Sequence, residues 1–206
     1  MKSLLHVLSL CLTAVFLTAC LNPGTTPPTT YYHLRAVDPA PAPLATLDTP
    51  LIVGPVEVSP YLDDPRLVTR PSSHRIDYNE LHRWAEPLEK NIAAVVAENL
   101  SSLLNTRGII AFNSGSGLRR EVHSIRIRIT GFEIDEEGTA TFKASVAHLR
   151  GRETINHALL RVTDSAPVQG DTPEDRVESL NSLVSDFSVA LARELIKKLE
   201  KPPQHP

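Results

Sequence analysis

The chain has 206 residues with 21 Lys+Arg against 24 Asp+Glu, a formal net charge of −3, and two cysteines. That balance gives no general reason to bind nucleic acid, and no basic run marks a polybasic membrane anchor. Neither a disulfide framework nor a cysteine-rich metal site can be built from two cysteines this placed.

The first element is a leader. Behind Met1-Lys2, the run from Leu4 to Leu17 is apolar except for His6, Ser9 and Thr13. It is shorter than the roughly 20 apolar residues that span a bilayer. A charged start, a short apolar core and the small-residue close Leu17-Thr18-Ala19-Cys20 make a secretory signal rather than part of the fold. The closing four residues resemble the lipobox of bacterial lipoproteins. That resemblance implies cleavage after residue 19 and a mature chain beginning at Cys20, with diacylglycerol on its sulfur and palmitate on its amine. Leu21, rather than Asp, follows the cysteine. By the sorting rule of such lipoproteins, this favours the inner leaflet of the outer membrane, facing the periplasm. Without residues 1–19 the chain keeps 20 basic and 24 acidic residues, a net charge of −4, and no cysteine free for a disulfide.

Residues 20–30 read as the lipidated cysteine and a Pro/Thr-rich tether, since LNPGTTPPTT has no apolar period. Ten residues reach at most about 35 Å, so the domain must sit close to its membrane. Residues 31–201 form one globular domain, of roughly 170 residues, enough to bury a core. Residues 202–206 are expected to form a disordered tail.

Strands are expected at 31–37, 51–59, 66–70, 74–78, 108–112, 123–134, 139–149 and 155–163, with a loop at 38–50. The clearest is Ser124–Thr130, where three isoleucines alternate with two arginines. Beyond it Phe132 and Ile134 fall out of phase, which a bulge or bend at Gly131 would restore. Asp135-Glu136-Glu137-Gly138 and Gly151-Arg152 read as turns, making an antiparallel three-stranded meander.

Two long helices are expected. Leu88, Ile92, Val95, Val96, Leu100, Leu103 and Leu104 share one stripe, with Pro87 in the first turn and Asn105-Thr106-Arg107-Gly108 at the end. The second begins at Thr172-Pro173-Glu174-Asp175, carries Leu180, Leu183, Val184, Phe187, Leu191, Leu195 and Leu199 on one stripe, and stops at Pro202-Pro203. The fold class is α/β (α+β mixed), one mixed sheet packed with two long helices.

Catalytic constellations are missing from the sequence: it has no Gly-x-Ser-x-Gly, Walker A, His-Glu-x-x-His or Cys-x-x-Cys. Ser114-Gly115-Ser116-Gly117 does not lead from a strand into a helix, so it reads as a surface loop rather than a phosphate cradle. His82 and Glu86 would straddle the start of a helix near Trp84 as a solvated pair. His148 and His157 lie on neighbouring strands, and ordinary strand histidines are the default reading. Arg119-Arg120 is a loop charge pair. No catalytic residue, metal site or cofactor is expected.

Tyr61, Arg70, Arg83 and Trp84 stand out by residue type. They either seal the start of the first helix or form a partner surface, since such residues are enriched at interface hot spots.

The series Tyr31-Tyr32-His33-Leu34, Val53-Gly54-Pro55-Val56, Tyr61-Leu62-Asp63, Leu67-Val68-Thr69-Arg70, Arg83-Trp84-Ala85-Glu86-Pro87-Leu88 and Glu98-Asn99-Leu100 resembles the PqiC family of ABC-type transport auxiliary lipoproteins. The match covers the mature domain and is densest over residues 51–104. The resemblance implies a non-catalytic component of an MCE-type lipid transport system, docked at the outer membrane. Its implied partners are an MCE-domain protein and inner-membrane transporter subunits, with a homo-oligomeric ring also within the family's range. Only Cys20 maps as a chemically defined site. The alternative is a stand-alone lipid- or ligand-binding lipoprotein. An envelope hydrolase has only scattered His, Asp and Ser residues behind it.

Overall fold

A computed structural model describes residues 27–37, 42–47, 49–106, 108–112, 122–151 and 153–199. The leader, Cys20, the Ser114–Gly117 loop, Arg119-Arg120 and the tail all lie outside the described residues. The described chain is a mixed α/β domain whose eight strands form one sheet that does not close. In order these are β1 (Thr30–Tyr32), β2 (Leu51–Val58), β3 (Arg66–Ser72) and β4 (Arg75–Trp84), then helix α1 (Leu88–Leu103). After it come β5 (Ile109–Ala111), β6 (His123–Asp135), β7 (Thr139–Arg150), β8 (Glu153–Pro167) and helix α2 (Pro173–Leu199).

β6 organises the sheet. One edge pairs antiparallel with β7 over its length, and β8 follows β7. The other edge is shared: β2 runs parallel to its first half, from Leu51 opposite His123 to Val58 opposite Ile129, and β3 takes its end at Thr69–Ile134 and Arg70–Asp135. β5 flanks β2, while β4 and then β1 extend the sheet from β3.

The alternation in β6 explains its two faces. Ile125, Ile127 and Ile129 are fully buried, whereas Arg126 and Arg128 are exposed. Ile129 then pairs with Ala144 and Gly131 with Lys143, so Thr130 is the extra residue of a bulge. The slip returns Phe132 and Ile134 to the core side. Glycine at 131 makes room for Lys143: a Cβ there would lie 3.1 Å from its side chain, which would have to shift by a few tenths of an ångström.

Both helices pack on the isoleucine face. Phe132, Phe142 and Phe187 stack from sheet to α2 with ring centroids 5.9 and 5.1 Å apart. α2 is capped as its sequence suggests: the Asp175 amide donates to Thr172 Oγ1 (3.2 Å) and the Thr172 amide donates back to the Asp175 carboxylate (2.9 Å). α1 ends on Asn105, at φ 44°, rather than on Gly108. Asn105 tolerates the left-handed conformation, and the Thr106 amide closes the turn on Ser101 O (3.0 Å).

Three expectations are corrected. The strand expected at 31–37 pairs with β4 only through Tyr32; residues 33–37 cross the helices as an extended strap. Side-chain amides satisfy the strap's backbone in place of a neighbouring strand. The strand expected at 74–78 runs on to Trp84, so α1 starts at Leu88 and not near Trp84. β8 spans 153–167, four residues beyond the expected end, because β7 offers it partners along that length.

Candidate docking site

Two of the residues singled out by type meet on the side of the sheet away from the helices, around a residue the sequence did not flag. After the bulge, Glu133 points to that side, and its side chain is only 5% exposed. Arg70, on β3, donates from Nε to Glu133 Oε1 at 2.7 Å. Tyr61, on the short 3-10 turn Pro60–Leu62, donates its hydroxyl to Glu133 Oε2 at 2.8 Å. The Phe132 amide donates to the same oxygen at 2.6 Å. The Arg70 guanidinium also lies over the Tyr61 ring, 5.5 Å from its centroid. Tyr78 on β4 reaches the Tyr61 carbonyl (3.1 Å) and carries Arg66 over its own ring at 4.5 Å. Burial, then the Glu133 carboxylate, push the Tyr61 phenol up to about 12, so it stays a hydrogen-bond donor at physiological pH.

Trp84 and Arg83 belong to a different spot. Trp84 is 6% exposed and packs on Phe132 at 5.9 Å, with its backbone amide on Pro65 O. It lines the floor of an apolar cleft with Leu62, Pro65, Ala85, Pro87 and Leu88. Asp63, Asp64 and Glu86 rim this cleft. Hydrogen bonds from Arg66 hold the Asp64 carboxyl down to about 2, so this part of the rim is an Asp64–Arg66 ion pair throughout the physiological range. Arg83 is partly exposed, and its Nε donates to Glu80 O at 3.3 Å. The structure thus brings Tyr61 to Arg70 and keeps both apart from the cleft floor.

His82 and Glu86 do not pair. His82 ends up beside the Tyr32 hydroxyl (2.7 Å), and Glu86 reaches His33 (2.7 Å), because β4 continues to Trp84 and the helix face they would share does not exist. His148 meets His123 rather than His157: His123 Nδ1 and His148 Nε2 are 2.7 Å apart, and His157 is exposed. Among the described residues no cluster of three or more His, Cys, Asp or Glu is placed to hold a metal.

The histidine pair predicts a pH response. Burial, then the His123 and Lys198 charges, hold His148 down to about 4; burial and Arg150 lower His123. Both folded-state values lie below the unfolded value of about 6.5. The unfolded chain therefore takes up protons first on acidification, and stability falls as pH drops from about 6.5 toward 4. Urea unfolding across that window should show a loss of order 1–2 kcal/mol, flattened in His148→Gln.

The comparisons with known proteins agree with this architecture. The family model for the ABC-type transport auxiliary lipoprotein component matches residues 32–192. Two crystal structures are similar in fold: an uncharacterised protein at 21% identity and a TM-score of 0.67, and a Xanthomonas campestris protein of the DUF330 family at 14% identity and 0.66. The first match covers 82% of this chain and 99% of the other; the second covers 84% and 100%. No curated protein sequence matches. With residues 32–192, more than half its length, inside one family model, the chain belongs to the ABC-type transport auxiliary lipoprotein component family, the PqiC-like family.

Proposed function

We propose that this chain is a lipid-anchored, non-catalytic adaptor of an MCE/ABC-type lipid transport system, docking the transport passage at the inner leaflet of the outer membrane. The family match over residues 32–192 carries the reading, since it makes the chain an auxiliary component of ABC-type transport in the bacterial envelope. Acylation at Cys20 supplies the anchor: each buried methylene contributes about 0.8 kcal/mol, and more than one acyl chain gives stable attachment.

The apolar cleft beside Trp84 supports docking. It exposes Pro65, Ala85 and Pro87 above the buried Leu62, Trp84 and Leu88, inside a charged rim, the arrangement of an apolar patch within a polar border. A partner's apolar side chain entering there would displace water without disturbing the cluster around Glu133.

Gentle cross-linking in cells followed by purification of the lipoprotein should recover an MCE-domain protein or transporter subunits. Ala85→Arg should block that recovery. The residue is exposed at the cleft and only its backbone amide is engaged, with Tyr32 O at 2.8 Å. Recovery of no such subunit from wild type would refute the adaptor role. Undiminished recovery with Ala85→Arg would move docking away from the cleft.

A further inference from the structure

The sequence holds no basic run, yet the fold gathers scattered cations onto one surface. On the helix-free side of the sheet, β6 presents Arg126 and Arg128, β7 presents Lys143 and β8 presents Arg161, all exposed. The strand register makes them neighbours. Ser145 lies between Arg128 on one side and Arg161 on the other, and Lys143 is two residues along β7 from Ser145 on the same face. Glu57 on β2 pairs with Arg128 at 3.0 Å, which leaves three of the four cations to set the charge of this face. The mature chain is net negative, so this surface opposes the overall charge.

We propose that this β6–β7–β8 face docks on the anionic headgroups of the bilayer that holds the anchor. The proposal rests on the lipid-anchor reading above. Two observations select a bilayer over other occupants. The charge is that of a headgroup-binding surface: cationic and flanked by Ser145, Thr141 and Thr163, which can donate to phosphate. The chain outside the described residues also has the right reach. Cys20 precedes β1 by ten residues, at most about 35 Å. β1 lies four strands from β7, about 19 Å at the usual strand spacing. The face therefore stays within reach of the headgroups at the high effective concentration a short linker gives.

The mature chain with Cys20→Ser, which carries no acyl group, separates this face from the anchor. At low salt it should co-sediment with vesicles of equal parts phosphatidylglycerol and phosphatidylcholine, but not with phosphatidylcholine alone. Binding should weaken steeply with salt. Each cation near such a surface contributes about fivefold, so the triple variant Arg126→Gln/Lys143→Gln/Arg161→Gln should lose about a hundredfold. The same charge removed elsewhere, as Lys90→Gln/Arg193→Gln/Lys197→Gln, should lose far less. The proposal is overturned by equal binding to both vesicles or by equal losses in the two triple variants. It is also overturned if the first variant keeps vesicle binding and loses partner recovery instead, which would assign the face to an acidic protein. Mass analysis of Cys20 decides the anchor itself, independently of this result.

Discussion

Arg70→Met is expected to destabilise the domain by about 3 kcal/mol, measured as a shift of the urea midpoint at constant slope. The side chain it removes neutralises a carboxylate that is 5% exposed, while Arg70 itself is 30% exposed. Breaking a buried pair from one side costs about 3–5 kcal/mol because the other charge stays behind without its partner; the partial exposure of Arg70 sets the lower end. Methionine keeps an unbranched stem against the Tyr61 ring, so the loss reports charge rather than packing. Glu133→Gln should cost less, since an amide oxygen can still accept from Tyr61 and from the Phe132 amide. The double variant should then lie well short of the sum, with a coupling of about 2 kcal/mol. Additive losses would show that the pair contributes nothing as a pair.

Tyr61 adds a pH signature to the same cluster. Its folded-state value, about 12, lies above the unfolded value of about 10. The stability it contributes is therefore complete below pH 10 and is lost as pH rises through 10 toward 12. Tyr61→Phe should remove that alkaline loss along with about 1–2 kcal/mol from a hydrogen bond to a charged acceptor.

This cluster also shows where sequence reading stops. The bulge near Gly131 was legible because Ile129, Phe132 and Ile134 break the two-residue period, and a period fault is a local signal. The burial of Glu133 was not legible. The same bulge turns it to the face opposite the core, where polar residues ordinarily meet water. It is covered only because the Pro60–Leu62 turn and β3, more than 60 residues away in sequence, fold over that end of β6. Cap chemistry at Thr172–Asp175 was readable for the same reason as the bulge: the partners are three residues apart. The His123–His148 contact depends on β6–β7 register and is a long-range fact. The basic face is a third case: alternation in β6 exposes Arg126 and Arg128, but only the meander brings Lys143 and Arg161 beside them.

Asn91→Ala is expected to cost about 3 kcal/mol and to loosen one segment before the rest. Among the described residues no strand pairs with strap residues 33–37, and helix side chains bond their backbone groups instead. Asn91 accepts from the Leu34 amide at 2.7 Å and donates to the Leu34 carbonyl at 3.2 Å. Asn99 accepts from the Val37 amide at 3.0 Å and is tied to Ser188 of α2, and Asn181 of α2 accepts from the Arg35 amide at 2.9 Å. Asn91 and Leu34 are 2% and 0% exposed, so truncation strands two backbone groups away from water, at about 1–3 kcal/mol each. Asn91→Asp isolates the acceptor role: a carboxylate can still take the Leu34 amide but is repelled by its carbonyl. Amide exchange at Leu34 and Val37 should accelerate in Asn91→Ala while the β6–β7 amides stay protected at low denaturant. Unchanged exchange at Leu34 would mean that Leu34 packing alone holds the strap. The strap joins the Cys20 side of the chain to both helices, so a pull on the tether would load β1 and these three asparagines before it reached the core. A variant that frees the strap leaves β1 held by β4 alone, so the same pull would reach that short parallel pairing without the helices behind it.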